Sequence, residues 1–300
     1  MFYILSLLMG VLISVMVAFN GGLTSFYGVY SATVVIHIVG LIVICTAVWI
    51  KRERFFPGRF AWYLYLGGAI GVLTTVFNNV SFGRISVSAL LALGLLGQSV
   101  AGLLIDQFGW FGMEKHPFAR RKLVGLVMIV AGIAAMITGF EMVAVIISFL
   151  AGVCIVLSRT LNAKLAEKTG GYVSVFYNYF IGLAVAVLAF ALLGRGEIDW
   201  AVMSASREFV SRDWWIYLGG VLGVTVVFLG NVVAVRISAF YLTLLIFVGT
   251  VFTGVAIDIV LTQAFSTRNL IGGVLVAGGM AANLMMDHRM RQAAAEATTE

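Results

Sequence analysis

Long apolar stretches alternate with short polar ones from the first residues to about residue 286. They run near 3–26, 32–50, 60–80, 85–107, 122–140, 142–163, 172–193, 214–235, 237–261 and 269–286. Crossing a hydrocarbon layer of ~30 Å takes about 20 helical residues, so the pattern predicts ten spans. The stretches are continuous rather than alternating. In lipid each backbone amide must be satisfied within its own segment, which selects helices over open strands. No basic segment precedes the first stretch and no small-residue cleavage site follows it, so it reads as a retained span and not a removed signal. Residues 288–300 form a polar, Ala-rich tail expected to be a helix end in water.

Composition agrees. Hydrophobic side chains make up 62% of the 300 residues and charged ones 11%, against about 25% charged in a typical soluble domain. That is too few to cover the surface of a water-soluble globular enzyme. Cys45 and Cys154 lie inside apolar runs, which points to neither a disulfide framework nor a metal site, and no cofactor is expected. The net charge of +6 resides in short loops, so the expected partner is a lipid bilayer and not nucleic acid.

The chain repeats itself. Shifted by 152 residues, Trp62 to Asp106 falls on Trp214 to Asp258 without a gap and with 18 of 45 positions identical, among them Gly67/Gly219, Gly68/Gly220, Gly71/Gly223, Asn79/Asn231, Arg84/Arg236, Ser86/Ser238, Gly97/Gly249 and Asp106/Asp258. Apolar bias alone does not align Trp, Asn, Arg and Asp in one register. Flanking helices match at other offsets: Asn20, Leu23, Gly28, Tyr30 and Gly40 meet Asn162, Leu165, Gly170, Tyr172 and Gly182, while Gly125 and Gly132 meet Gly272 and Gly279. The predicted organisation is a five-helix repeat over 1–140, a second over 141–287, and the tail.

A five-helix unit enters on one side of a bilayer and leaves on the other, so its copy is predicted to run inverted. With the N-terminus on one side, that side collects fourteen Lys and Arg residues and the opposite side five. The positive-inside rule makes the richer side cytoplasmic, with both termini inside. The 194–213 loop, on the opposite side, balances its arginines with Glu197, Asp199, Glu208 and Asp213.

This arrangement resembles the drug/metabolite transporter superfamily, and within it the YdcZ-type inner-membrane exporters. The likeness rests on Asn-x-x-Leu near the end of each first helix (Asn20 and Leu23, Asn162 and Leu165) and Leu-Gly-Gly-x-x-Gly opening each third helix. It rests also on Gly97-Gln98 through Asp106-Gln107-Phe108-Gly109 closing the first fourth helix. Gln98 becomes Thr250 in the second half, so any role of that motif is confined to one half. The resemblance implies ten helices in two inverted repeats and a secondary transporter that carries a small metabolite or drug-like solute. The repeat pattern points to the same end, since inverted halves that exchange shapes open a midplane site to either face.

Polar groups within spans are costly and mark candidate substrate contacts. They are Asn20, His37, Asn78, Asn79 and Gln98 in the first half, and Arg159, Asn162, Asn178, Tyr179 and Asn231 in the second. Each singly also reads as an interhelical hydrogen-bonding residue. His37 has the chemistry of a proton switch, and Arg159 that of a counter-charge or a snorkelling cation. Asp106 and Asp258 are matched acids near helix C-termini, where the helix dipole disfavours an anion, so each is expected to need a cationic neighbour. They read as end anchors or as gating or coupling carboxylates. Gly125, Gly132 and Gly139, with Gly272 and Gly279, line one face of helices five and ten for close packing, either against each other or in a homodimer. The rival readings are an intramembrane enzyme, with Ser99 and His37 as its nearest approach to a nucleophile and base, and a channel.

Overall fold

The computed structural model describes residues 1–56, 58–110, 122–137, 141–197, 212–234 and 239–297. Among them are ten α-helices: α1 (Phe2–Tyr27), α2 (Val29–Ile50), α3 (Leu66–Ser81), α4 (Val87–Phe108), α5 (Lys122–Met136), α6 (Met142–Thr169), α7 (Gly171–Leu193), α8 (Gly219–Ala234), α9 (Ala239–Thr262) and α10 (Thr267–Ala297). Each grows from one of the ten apolar stretches. Seven are long and apolar enough to cross a membrane, and the segments 123–136 and 214–230 are shorter apolar helices. The shortfall from ten full-length spans has a local cause at α3 and α8. Both are preceded by tight 3-10 turns, Trp62–Tyr65 and Trp214–Leu218, which take up part of the apolar stretch. The polar tail continues α10 without a break as far as Ala297.

Two one-residue connections set the local geometry. Gly28 joins α1 to α2 with φ 88°, and its repeat counterpart Gly170 joins α6 to α7 with φ 84°. A side chain at such a positive-φ backbone is strained, so a reversal this abrupt selects glycine.

Packing runs mainly between the halves, and its contacts recur in repeat-related pairs. The backbone face of Gly97 on α4 meets Phe149 and Gly152 on α6, while that of Gly249 on α9 meets Leu7 and Gly10 on α1. Gly67 opens onto Asn162, and Gly219 onto Asn20. Gly68 on α3 touches Asn178 and Gly182 on α7, and Gly220 on α8 touches Ile36 and Gly40 on α2. Helices α5 and α10 pair with each other through Gly125 against Gly279 and Gly132 against Gly272. Gly125, Gly132, Gly272 and Gly279 thus pack within the chain, and Gly139 lies outside the described residues. The apolar core is shared in the same way. One cluster joins Leu93 and Ile129 to Phe247, Val251 and Val276, and another joins Ile44 and Leu64 to Leu165, Val175 and Val224.

Candidate functional site

A polar seam runs where α2 and α7 cross, flanked by α3 and α6. Ser158 and Asn162 are four residues apart and so share one face of α6. The Ser158 hydroxyl donates to the Gly67 carbonyl at 2.7 Å, and Asn162 Nδ2 donates to Asn178 Oδ1 at 2.8 Å and to Ser158 Oγ at 3.3 Å. Ser174 Oγ donates to the Asn162 carbonyl at 2.7 Å, tying the α6–α7 reversal to the same cluster. Space for these groups comes from α3, where Gly67, Gly68 and Gly71 bring backbone against them.

His37 continues the seam on α2. It is buried, its Nδ1 lies 2.7 Å from the Thr33 carbonyl, and its ring packs against Gly182 and 5.8 Å from the Tyr179 ring. Tyr179, also buried, fits over Gly40 and directs its hydroxyl to Gly223. His37 and Tyr179 are repeat counterparts, so each fills the notch left by the other half's glycine. Asn79 is buried on α3 and donates from Nδ2 to Thr33 Oγ1 at 3.3 Å.

Asn20 is the exception. Its repeat counterpart Asn162 donates from Nδ2 to Ser158 and Asn178, whereas Asn20 Oδ1 is buried against Gly219 with no hydrogen-bond partner. The residues equivalent to Ser158 and Asn178 are Met16 and Ile36, so the acceptors that hold Asn162 Nδ2 have no counterpart beside Asn20. A buried acceptor left unpaired costs about 1–3 kcal/mol, and natural proteins hold such groups rarely.

The remaining sequence candidates are placed elsewhere. Asn78 is half-buried near the end of α3. Gln98 sits at the α4–α6 crossing, its backbone N against Gly152. Its counterpart Thr250 donates from Oγ1 to the Ile246 carbonyl at 2.7 Å and the Gly10 carbonyl at 3.3 Å, a packing role. Arg159 is exposed on α6, whereas its counterpart Val17 on α1 is 4% exposed and packs with Val87, Leu90 and Leu91. The side chains of Asn231 and Asp106 lie outside the described residues. Ser99 Oγ donates to the Leu95 carbonyl at 2.9 Å.

Among the described residues, Asp258 is met by a helix end rather than by the expected cationic neighbour. It is buried and accepts from Val87 N at 2.6 Å, from Ser88 N at 3.0 Å, from the Ser88 hydroxyl, and from Asn269 Nδ2 at 3.2 Å. Its counter-charge is thus the N-terminus of another helix, α4, whose free amides carry the positive end of the dipole. Ser86 completes the cap by accepting from Ala89 N at 3.2 Å. A cleft of about 420 Å³ borders this contact, lined by residues 82–87 and by Asp258, Thr262 and Asn269 among others.

Sequence reasoning missed Thr33, Ser158 and Glu197. The first two carried a signal, each lying four residues from a named candidate. Glu197 carried none, being one of several charges in a loop. Its carboxylate accepts from Tyr30 N at 2.8 Å, from Ser31 N at 3.0 Å and from Ser31 Oγ at 3.2 Å, capping α2.

Eleven solved chains are similar in fold. One, a crystal structure, is 16% identical with a TM-score of 0.58, over 95% of this chain and 96% of that one. Among curated proteins no sequence matches. One sequence family, described as "Putative inner membrane exporter, YdcZ", matches twice, once over residues 1–135 and again over 143–282. The two matches divide the chain at the junction between its repeats and cover nearly all of it, and the chain belongs to this YdcZ-type family of the drug/metabolite transporters.

Proposed function

We propose that the chain is a secondary transporter that exports a small metabolite or drug-like solute across the cytoplasmic membrane. It does so by alternating access between two inverted five-helix halves, 1–140 and 141–287, with the 288–300 tail and both termini in the cytoplasm. Family membership supports the exporter class. The observation that carries alternating access is the unequal state of equivalent positions. Gly28 is covered by Glu197, while its sequence counterpart Gly170 has nothing before it among the described residues. Equivalent sequences in unequal settings are what inverted halves produce when one face is closed and the other open.

In this reading the solute meets the seam of Asn162, Asn178, His37, Tyr179 and Asn79, with the unpaired carbonyl of Asn20 as an acceptor awaiting a donor on the solute. Asn78, Gln98, Arg159 and Asn231 complete the candidate set, and Asp106 and Asp258 are its gating carboxylates. Transport is favoured over catalysis because Ser99 and His37 have separate surroundings, Ser99 meeting Leu95 and Met280 and the His37 ring meeting Thr33, Gly182 and Tyr179. Purified protein in liposomes, screened with a compound library, should show saturable flux, tested with and without a pH gradient. Loss of that flux in Asn162→Ala with the protein still folded is expected. Unsaturable currents in a planar bilayer would replace this reading with a channel.

A further inference from the structure

We infer that Glu197 and Asp258 form a latch, one-sided in its Glu197 arm, that holds shut the face of the bundle where α1 ends and α2 begins. Both are carboxylates of the second half, and both cap N-termini of first-half helices at the same end of the bundle. Glu197 takes two α2 amides and the Ser31 hydroxyl, while Asp258 takes two α4 amides and the Ser88 hydroxyl. Tyr27 and Tyr217, 2.7 Å apart between hydroxyl oxygens, add a third link between the halves at that end. Directly beneath the α4 cap lies the seal, where Val17 packs with Val87, Leu90 and Leu91.

Each cap joins elements that must part if this face is to open. A carboxylate on free helix amides is a strong, charge-assisted contact, and its loss leaves several buried donors without acceptors. The latch is also asymmetric by sequence. The loop carrying Glu197 is ten residues longer than its counterpart after α2, as the change of repeat offset from 142 to 152 requires. At the repeat-equivalent reversal, no described residue lies before Gly170. Glu197, carried by the longer loop, biases the molecule toward the state seen here.

The latch as a gate rests on the alternating-access reading, and the test separates the two. In a background with Cys45→Ser and Cys154→Ser, reporters Val17→Cys and Arg159→Cys are made separately. Their labelling by a membrane-impermeant maleimide is followed in intact cells and in inverted vesicles. Glu197→Gln and Asp258→Asn should each raise the labelling rate at position 17 by about fivefold, the effect expected for loss of one good cap, and more together. If alternating access holds, labelling at position 159 falls in the same variants. A rise at 17 with no change at 159 supports the latch and counts against alternation. No rise at 17 in a double variant that is still labelled at 159 overturns the latch. Should Asp258→Asn fail to accumulate, Glu197→Gln alone decides, since its cap lies at the membrane surface and not in the core.

Discussion

Asn20 and Asn162 hold the same place in two copies of one helix and have opposite energetics. Asn162 is bonded to Ser158 and Asn178, whereas the Oδ1 of Asn20 has no partner. Removing a bonded group strands its partners, and removing an unbonded one relieves a cost. Thermal unfolding in detergent should therefore show Asn162→Ala losing about 1–3 kcal/mol, and Asn20→Ala losing less than half as much. Flux should fall in both, because in the proposed function Asn20 is kept for the solute at the expense of stability, as functional sites often are. Equal destabilisation would make Asn20 an ordinary packing residue. The repeat itself disclosed this pair. What it hid was the neighbours, since Met16 for Ser158 and Ile36 for Asn178 become meaningful only once folding brings them beside the asparagine.

Helix reversals offer a matched comparison at the next scale. Gly28 and Gly170 share a positive-φ backbone with ψ 171° and 161° that is essentially confined to glycine, so alanine strains both, at about 1–3 kcal/mol. Only at Gly28 would a Cβ also strike the Glu197 side chain. Gly28→Ala should lower the unfolding midpoint more than Gly170→Ala, and in a Glu197→Ala background the two should converge. Convergence checks that the side chain, and not the turn, makes the difference. The helices were legible from the apolar stretches because lipid leaves a chain no other way to satisfy its amides. Less legible were the 3-10 turns before α3 and α8, where the apolar pattern continues unbroken through the aromatic residues Trp62 to Tyr65. The cap of α2 was illegible altogether, since its own N-cap is a glycine and its acceptor lies 167 residues away in sequence.

At the scale of the whole molecule the halves are distinct in sequence and inseparable in packing. Helix α1 packs on α8 and α9, α6 on α3 and α4, and α5 on α10, so most close contacts cross the junction. Chains 1–140 and 141–300 expressed separately should each be degraded, and together should accumulate as a complex that co-purifies. A stable, folded half on its own would refute the shared core.

Sequence alone determined the helical class, the membrane setting, the duplication and the small residues at which helices meet. Each of these follows from local composition or from comparing the chain with itself. Tertiary structure decided which acceptor is left without a partner, and which helix ends receive Asp258 and Glu197. The reason is physical. A repeat makes the two halves nearly alike in what they can do, and much of the difference between them resides in contacts such as Glu197 with Tyr30 and Asp258 with Ser88, more than a hundred positions apart, which no local pattern records.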